Sequence, residues 1–214
     1  MDATATVTAV DTVGQNTYAI RFRSPDGFTA EPGQFVKLGT EIDGESVARF
    51  YTLSSPTITD TFEVTVGIDP EESGPFSAFL AEIEPGTEMT LSGPFGDQHY
   101  DGEPRVIVIA GGPGVGPAVA IAERALADGG DAAIVYRDTA VSHADRLDDL
   151  QSRGATVHLL EAAESLDSAV ADVVGVADDE AVFVYGFADL VSDARAAIDA
   201  AGGDADAANV ENFG

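Results

Sequence analysis

The stretch Arg49-Phe50-Tyr51-Thr52 sets a planar cation, an aromatic ring and a hydroxyl close together. A guanidinium fork suits phosphate oxygens. A tyrosine ring can lie against a flat heterocycle, and a threonine hydroxyl can hydrogen-bond to that heterocycle's polar edge. Gly74-Pro75-Phe76-Ser77 opens a helical pattern, so its backbone N–H groups and the Ser77 hydroxyl stand where a helix dipole favours an anion. Capping of the helix by Ser77 is the plainer alternative. Further on, Gly111-Gly112-Pro113-Gly114-Val115-Gly116-Pro117 follows an apolar run and leads into a helix, the setting in which a glycine turn lets a nucleotide phosphate approach the backbone. Pro117 suits a first helical turn, where no N–H is needed. The plainer readings are a tight strand–helix turn and, for Arg49, an ion pair with a surface carboxylate.

These groups need a frame, and the hydrophobic pattern supplies two. Residues 4–13, 17–23, 34–39, 47–53, 61–66 and 88–92 read as short strands, broken by turns such as Ser24-Pro25-Asp26-Gly27 and Glu84-Pro85-Gly86. Six such strands predict an antiparallel Greek-key barrel, interrupted by one helix over 76–83. Beyond residue 102 the pattern alternates. Apolar strands at 106–110, 132–136, 156–160, 181–185 and 209–211 are separated by helical periodicity at 118–128, 144–153, 166–174 and 190–200. That alternation predicts a five-stranded parallel sheet covered on both faces. The expected domains are 1–101 and 102–214.

Composition excludes several functions. Ten Lys+Arg against 38 Asp+Glu give a formal charge of −28, and Lys37 is the only lysine. Such a surface repels nucleic acid and anionic membranes. Self-repulsion of this size fades when molar salt shortens the Debye length to about 3 Å, and lysine depletion with acid enrichment resembles proteins of salt-accumulating halophilic archaea. No apolar run approaches the roughly 20 residues needed to span a bilayer, and the N-terminus lacks a signal-like pattern, so a cytoplasmic protein is expected. The absence of cysteine removes disulfides, thiolate metal sites and thiol nucleophiles. His99, His143 and His158 lack metal-ligand spacing and read as surface or strand-end residues, and no metal site is expected.

The segments also fall in a meaningful order. Pro32-Gly33-Gln34-Phe35-Val36, the Arg49 segment, Gly74–Ser77, Gly93-Pro94-Phe95-Gly96, the glycine turn and the closing Val210-Glu211-Asn212-Phe213-Gly214 together resemble the ferredoxin–NADP reductase family of FAD enzymes, over essentially the whole chain. The resemblance implies that Arg49 holds the FAD diphosphate with Gly74, Pro75, Phe76 and Ser77. Tyr51 would lie against the isoalloxazine and Thr52 would hydrogen-bond near flavin N5. Phe50, Thr65, Val66 and Gly67 would belong to the same FAD surface, Glu211 would stand by N5 and Phe213 would cover the ring. Thr52 and Glu211 are thus the expected catalytic pair. Gly112, Gly114, Val115, Gly116, Pro117, Arg137, Tyr185 and Gly186 would hold NADH or NADPH. Where the family has a cysteine near the nicotinamide this chain has Tyr185, and Pro113 replaces a usual hydroxyl residue. Glu161 and Glu164 disfavour a 2′-phosphate and incline the reading to NADH. The implied activity is hydride exchange between NAD(P)H and flavin, with single electrons passing to or from a separate carrier such as ferredoxin. A non-catalytic electron-transfer subunit and a flavin-free nucleotide-binding module are the two alternatives.

Overall fold

The computed structural model describes residues 1–68, 74–175 and 180–213. The first sheet contains β1 (Asp2–Gly14), β2 (Thr17–Arg23), β3 (Phe35–Ile42), β4 (Glu45–Thr52), β5 (Thr61–Gly67) and β6 (Glu88–Phe95), in the antiparallel order β4-β3-β6-β1-β2-β5. A bridge between Leu53 and Val64 joins the end of β4 to β5 and closes the sheet into a barrel. Alternation does the positioning: Ile20, Phe22, Phe62 and Val64 point inward and are fully buried, with Val36 and Leu38 from β3 facing them. The short helix α1 (Pro75–Ala81) plugs this core with Phe76 and Leu80. Gly74 is its N-cap and no side chain caps it, so Ser77 does not serve as the cap.

The chain passes to the second sheet between Phe95 and Arg105. There β7 (Arg105–Gly111), β8 (Asp131–Asp138), β9 (Thr156–Glu161), β10 (Glu180–Gly186) and β11 (Asn209–Asn212) pair in parallel in the order β11-β10-β7-β8-β9. Every residue from Val106 to Ala110 is fully buried because both faces are covered. Val106 and Val108 pack towards α2 (Val115–Ala127) and α3 (Ala144–Ser152). Ile107 and Ile109 pack on the opposite face, towards α4 (Asp167–Val173) and α5 (Ala188–Ala200). The two-sheet architecture is as the pattern predicts. Several element ends shift by one to three residues. The shift that touches the glycine turn is that α2 begins at Val115, so Pro117 is its third residue, still in the first turn where a missing N–H costs nothing.

No helix among the described residues is long and apolar enough to cross a membrane.

Candidate functional site

From β7 the chain runs outward to β8 and β9, then returns to add β10 on the other side of β7. The strand order reverses at β7 and β10, and a crevice opens at the carboxyl ends of such a pair. Gly112 follows β7 and Phe187 follows β10, and a Cβ on Gly112 would lie 3.8 Å from Phe187 Cε2. Gly112 has φ +56, a conformation that disfavours side chains. Phe187 is 53% exposed and meets Phe213 edge-on, with ring centroids 6.1 Å apart. The Phe213 N–H donates to Gly186 O at 3.0 Å, so this tail is tied into the sheet and is not a frayed end.

Across the crevice stands the end of β4. The Thr52 hydroxyl donates to Glu211 Oε1 at 2.8 Å, joining the barrel to β11 over 159 residues of sequence. Burial raises the Glu211 carboxyl above its ordinary value, and the Thr52 hydrogen bond works against that rise. Tyr185 lies opposite Glu211 in the parallel ladder and is nearly fully buried. Burial, and then the nearby Glu211 charge, raise its hydroxyl pKa. A Cβ on Gly33 would come within 2.9 Å of the Tyr185 hydroxyl oxygen, so Gly33 is needed for this approach between the sheets. A cavity of about 380 Å³ is lined by Gly33, Phe35, Tyr185 and Glu211, among others.

Arg49 and Tyr51 occupy one face of β4. The Arg49 guanidinium carbon lies 6.0 Å from the Phe76 ring centroid, and the Tyr51 ring stacks on Phe76 at 6.4 Å and 18°. Burial raises the Tyr51 hydroxyl pKa, with Arg49 opposing. Arg49 donates to its neighbour's carbonyl, Ala48 O, at 2.8 Å and pairs with no carboxylate among the described residues. Among the described residues the plainer reading of Arg49 as an ion-pair partner is not met. Gly74, at the start of the Phe76 helix, faces open space, with no atom of the described residues within 4 Å of where a Cβ would stand. Phe50 points the other way. It is 59% exposed and packs on Phe35 and Phe95 at 5.6 and 6.2 Å, apart from the Arg49 and Tyr51 face.

The glycine turn divides its labour in a way the sequence hides. A Cβ on Gly114 would be 2.3 Å from Tyr185 O, and one on Gly116 would be 2.4 Å from Thr65 Oγ1. These two glycines let the start of α2 press against β10 and the barrel. Val115, Gly116 and Pro117 are buried, whereas Gly112 and Pro113 are partly exposed. Gly67 faces Pro113, and Val66 lies in the barrel core. Thr65 is turned to the interface: its Oγ1 is 2.8 Å from Ser54 Oγ and 2.8 Å from His143 Nε2.

His143 corrects the surface reading. Only 5% exposed, it starts α3, and its backbone N–H donates to Val13 O of the barrel at 2.8 Å. Burial and then Arg146 push its imidazole down to about 3. Arg146 adds a second tie, donating to Glu123 at 2.7 Å, Glu63 at 3.2 Å and Ser54 O at 2.9 Å. No spacing motif announces either residue, because their partners are remote in sequence. Arg137 ends β8 opposite Gly111 and pairs with Asp193 of α5 at 2.7 Å. Among the described residues no cluster of His, Asp and Glu could hold a metal.

Residues 4–100 match the family model of the oxidoreductase FAD-binding domain. That match covers the barrel half of this chain. The chain is 40% identical to the glycine betaine monooxygenase reductase subunit of Chromohalobacter salexigens, over 47% of its own length and 28% of that protein. It is 34% identical to a probable dihydroorotate dehydrogenase B electron transfer subunit of Methanopyrus kandleri, over 51% of this chain and 39% of that protein. A Pseudomonas putida flavohemoprotein is 31% identical over 71% of this chain and 40% of its own length. The match thus spans less than half of each of these relatives. Among solved structures, the flavohem-like FAD/NAD binding domain of nitric oxide dioxygenase from Vibrio cholerae superposes with TM-score 0.84 at 20% identity, covering 99% of this chain and 98% of that one. The cytochrome b5 reductase domain of Ulva prolifera nitrate reductase gives 0.83 at 18% identity, with 99% and 97% covered. These likenesses establish the fold of the barrel together with the parallel sheet.

Proposed function

We propose that the chain is an NAD(P)H-dependent flavin reductase, built from an FAD-binding domain at 1–101 and a nucleotide-binding domain at 102–214, which exchanges single electrons with a separate carrier such as ferredoxin. The observation that carries this reading is the Thr52–Glu211 hydrogen bond. It brings a hydroxyl of the FAD-binding domain and a half-buried carboxylate of the parallel sheet together at the crevice where the strand order reverses.

The residues present fit FAD. Arg49 is an exposed cation without a carboxylate partner among the described residues, in a chain with 38 acidic ones, and Tyr51 stands beside it. Arg49 would hold the diphosphate, aided by the open turn at Gly74 and Ser77, while Tyr51 and Phe213 would bound the ring system from the two domains. Bound FAD supplies hydride acceptance and one-electron release. The protein's own part is orientation and proton placement: Thr52 offers one O–H and two lone pairs, and Glu211 holds or accepts a proton beside it. Gly112 and Pro113 present the exposed part of the glycine turn to a pyridine nucleotide, with Gly186 and Phe187 opposite. The relatives named above include a reductase subunit and an electron transfer subunit, and both names accord with a module that hands electrons onward.

The visible spectrum of protein purified in high salt tests the reading, before and after NADH or NADPH. Released FAD and bleaching by a nucleotide are expected. Arg49→Ala should weaken FAD retention by roughly 1.5–3 kcal/mol, the worth of a charge-assisted contact. A colourless protein, or FMN in place of FAD, would refute the proposal. The similarity to an electron transfer subunit favours a second reading, a module inactive without its partner enzyme. Steady turnover of NADH with benzoquinone as acceptor separates the two.

A further inference from the structure

We infer that this chain selects a dinucleotide whose adenosine ribose carries a free 2′-hydroxyl, because Asp193 holds Arg137 away from the role of phosphate receptor. The inference rests on the reductase reading above and narrows its substrate to NADH.

In a doubly wound sheet the end of the strand after the glycine-turn helix meets the adenosine ribose. A carboxylate there accepts the 2′-hydroxyl, whereas an arginine accommodates a 2′-phosphate. Here β8 ends in Arg137-Asp138, one of each, so residue type alone does not choose. Arg137 lies opposite Gly111 in the ladder, level with the start of the glycine turn. Its side chain is on the face of α4 and α5. There one guanidinium nitrogen donates to Asp193 Oδ2 at 2.7 Å and the other to Glu164 O at 3.2 Å, leaving the side chain 13% exposed.

The cavity beside it, about 360 Å³, is lined by Arg137, Glu164, Asp167 and Asp193 among others. One cation faces three carboxylates. A 2′-phosphate would have to displace Asp193 from Arg137 and then sit near Glu164 and Asp167, so like charges oppose it at each step. A neutral diol meets no such opposition, and its hydroxyls can donate to carboxylates. Asp138 remains competent for that role. Its Oδ1 accepts the Thr139 N–H at 2.6 Å and the Thr139 hydroxyl at 3.3 Å, while Oδ2 accepts only the Tyr136 hydroxyl at 2.8 Å and keeps a lone pair. Asp193 is thus a positioning residue, acting through Arg137.

Steady-state reduction of benzoquinone by NADH and by NADPH tests this on FAD-loaded parent, Asp193→Asn and Asp193→Glu. The parent should favour NADH. Asp193→Asn should raise the NADPH/NADH ratio of kcat/KM roughly tenfold or more, as a charge-assisted contact to the phosphate becomes possible. Asp193→Glu should restore the parent's ratio, which a merely structural disturbance would not do. Calorimetry with 5′-AMP and 2′-AMP provides a readout independent of turnover: the parent should prefer 5′-AMP, and Asp193→Asn should gain affinity for 2′-AMP. A parent that uses both nucleotides equally, or an Asp193→Asn ratio unchanged in both assays, overturns the inference. Failure of both nucleotides to bleach the flavin refutes the reductase reading instead, and the two AMP titrations then decide the ribose site by themselves.

Discussion

Lowering the pH should destabilise this protein through His143 before its carboxylates titrate in bulk. The imidazole is 5% exposed, 2.8 Å from Thr65 Oγ1, and followed one helical turn later by Arg146. A proton on it would lose hydration and face a guanidinium, which is why its pKa falls from 6.5 to about 3. The unfolded chain restores the ordinary value. Below pH 6.5 the unfolded state therefore binds a proton that the folded state refuses, and stability falls as pH falls towards 3. At about 1.36 kcal/mol per pH unit of full slope, the loss between pH 7.5 and pH 5 comes to about 2 kcal/mol. Glu63 and Glu211 have raised values and work in the opposite direction over the same range, so the difference from a variant isolates the histidine. His143→Gln keeps a hydrogen-bonding group without the charge. Urea unfolding in molar KCl, repeated from pH 7.5 to 5, should show parent and variant converging or crossing by about 2 kcal/mol. A gap independent of pH would mean that the imidazole titrates normally, and that the interface around it admits water.

Three other outcomes follow from the same geometry. Gly116→Ala would place a Cβ 2.4 Å from Thr65 Oγ1, and should cost roughly 1–3 kcal/mol in urea unfolding; an unchanged midpoint would show that α2 can retreat from the barrel. Thr52→Ala removes the 2.8 Å bond to Glu211 but none of the Arg49 and Tyr51 surface. It should retain FAD yet slow flavin reduction by NADH in stopped flow, and reduction at the parent rate would dissociate Thr52 from that step. The thermal midpoint should rise from tenths molar to several molar KCl, since a charge of −28 is relieved by screening; indifference to salt would mean that pairing already neutralises the surface.

The strands and helices were legible because burial imposes short periods on the sequence. The run Val106–Ala110 is apolar throughout because α2 and α3 cover one face and α4 and α5 the other. Arg49 and Tyr51, two residues apart on a strand, had to share a face, and Phe50 had to leave it. That last consequence separates Phe50 from its neighbours in the motif. The glycine turn was legible as a turn but not in its roles. Close approach to a ligand and close approach to a neighbouring strand both demand glycine, and only the distances to Tyr185 and Thr65 assign Gly114 and Gly116 to packing. His143 and Arg146 were illegible for a different reason. Their side-chain partners in the barrel lie 78 to 92 residues away, and no local pattern encodes a contact between two layers so remote in sequence.

That contact layer also bears on the chemistry. Thr52 has a single hydroxyl proton, and in this arrangement it points at Glu211. A ligand in the crevice that competes for that proton weakens the one interaction identified as lowering the Glu211 pKa, leaving burial to act unopposed. The carboxyl would then hold a proton more readily at the moment the barrel side of the crevice is filled. A ligand group that donates can instead use the lone pairs of Thr52 and leave Glu211 ionised. The Thr52–Glu211 pair would therefore couple what occupies the barrel side of the crevice to the charge on the parallel sheet, through one rotatable hydroxyl. Tyr185 stands at this seam, opposite Glu211 in the ladder and close against Gly33. A smaller residue there would leave a void beside Phe183, on which the Tyr185 ring stacks at 6.5 Å, and that gives a packing reason for a bulky buried phenol at the seam between the two sheets.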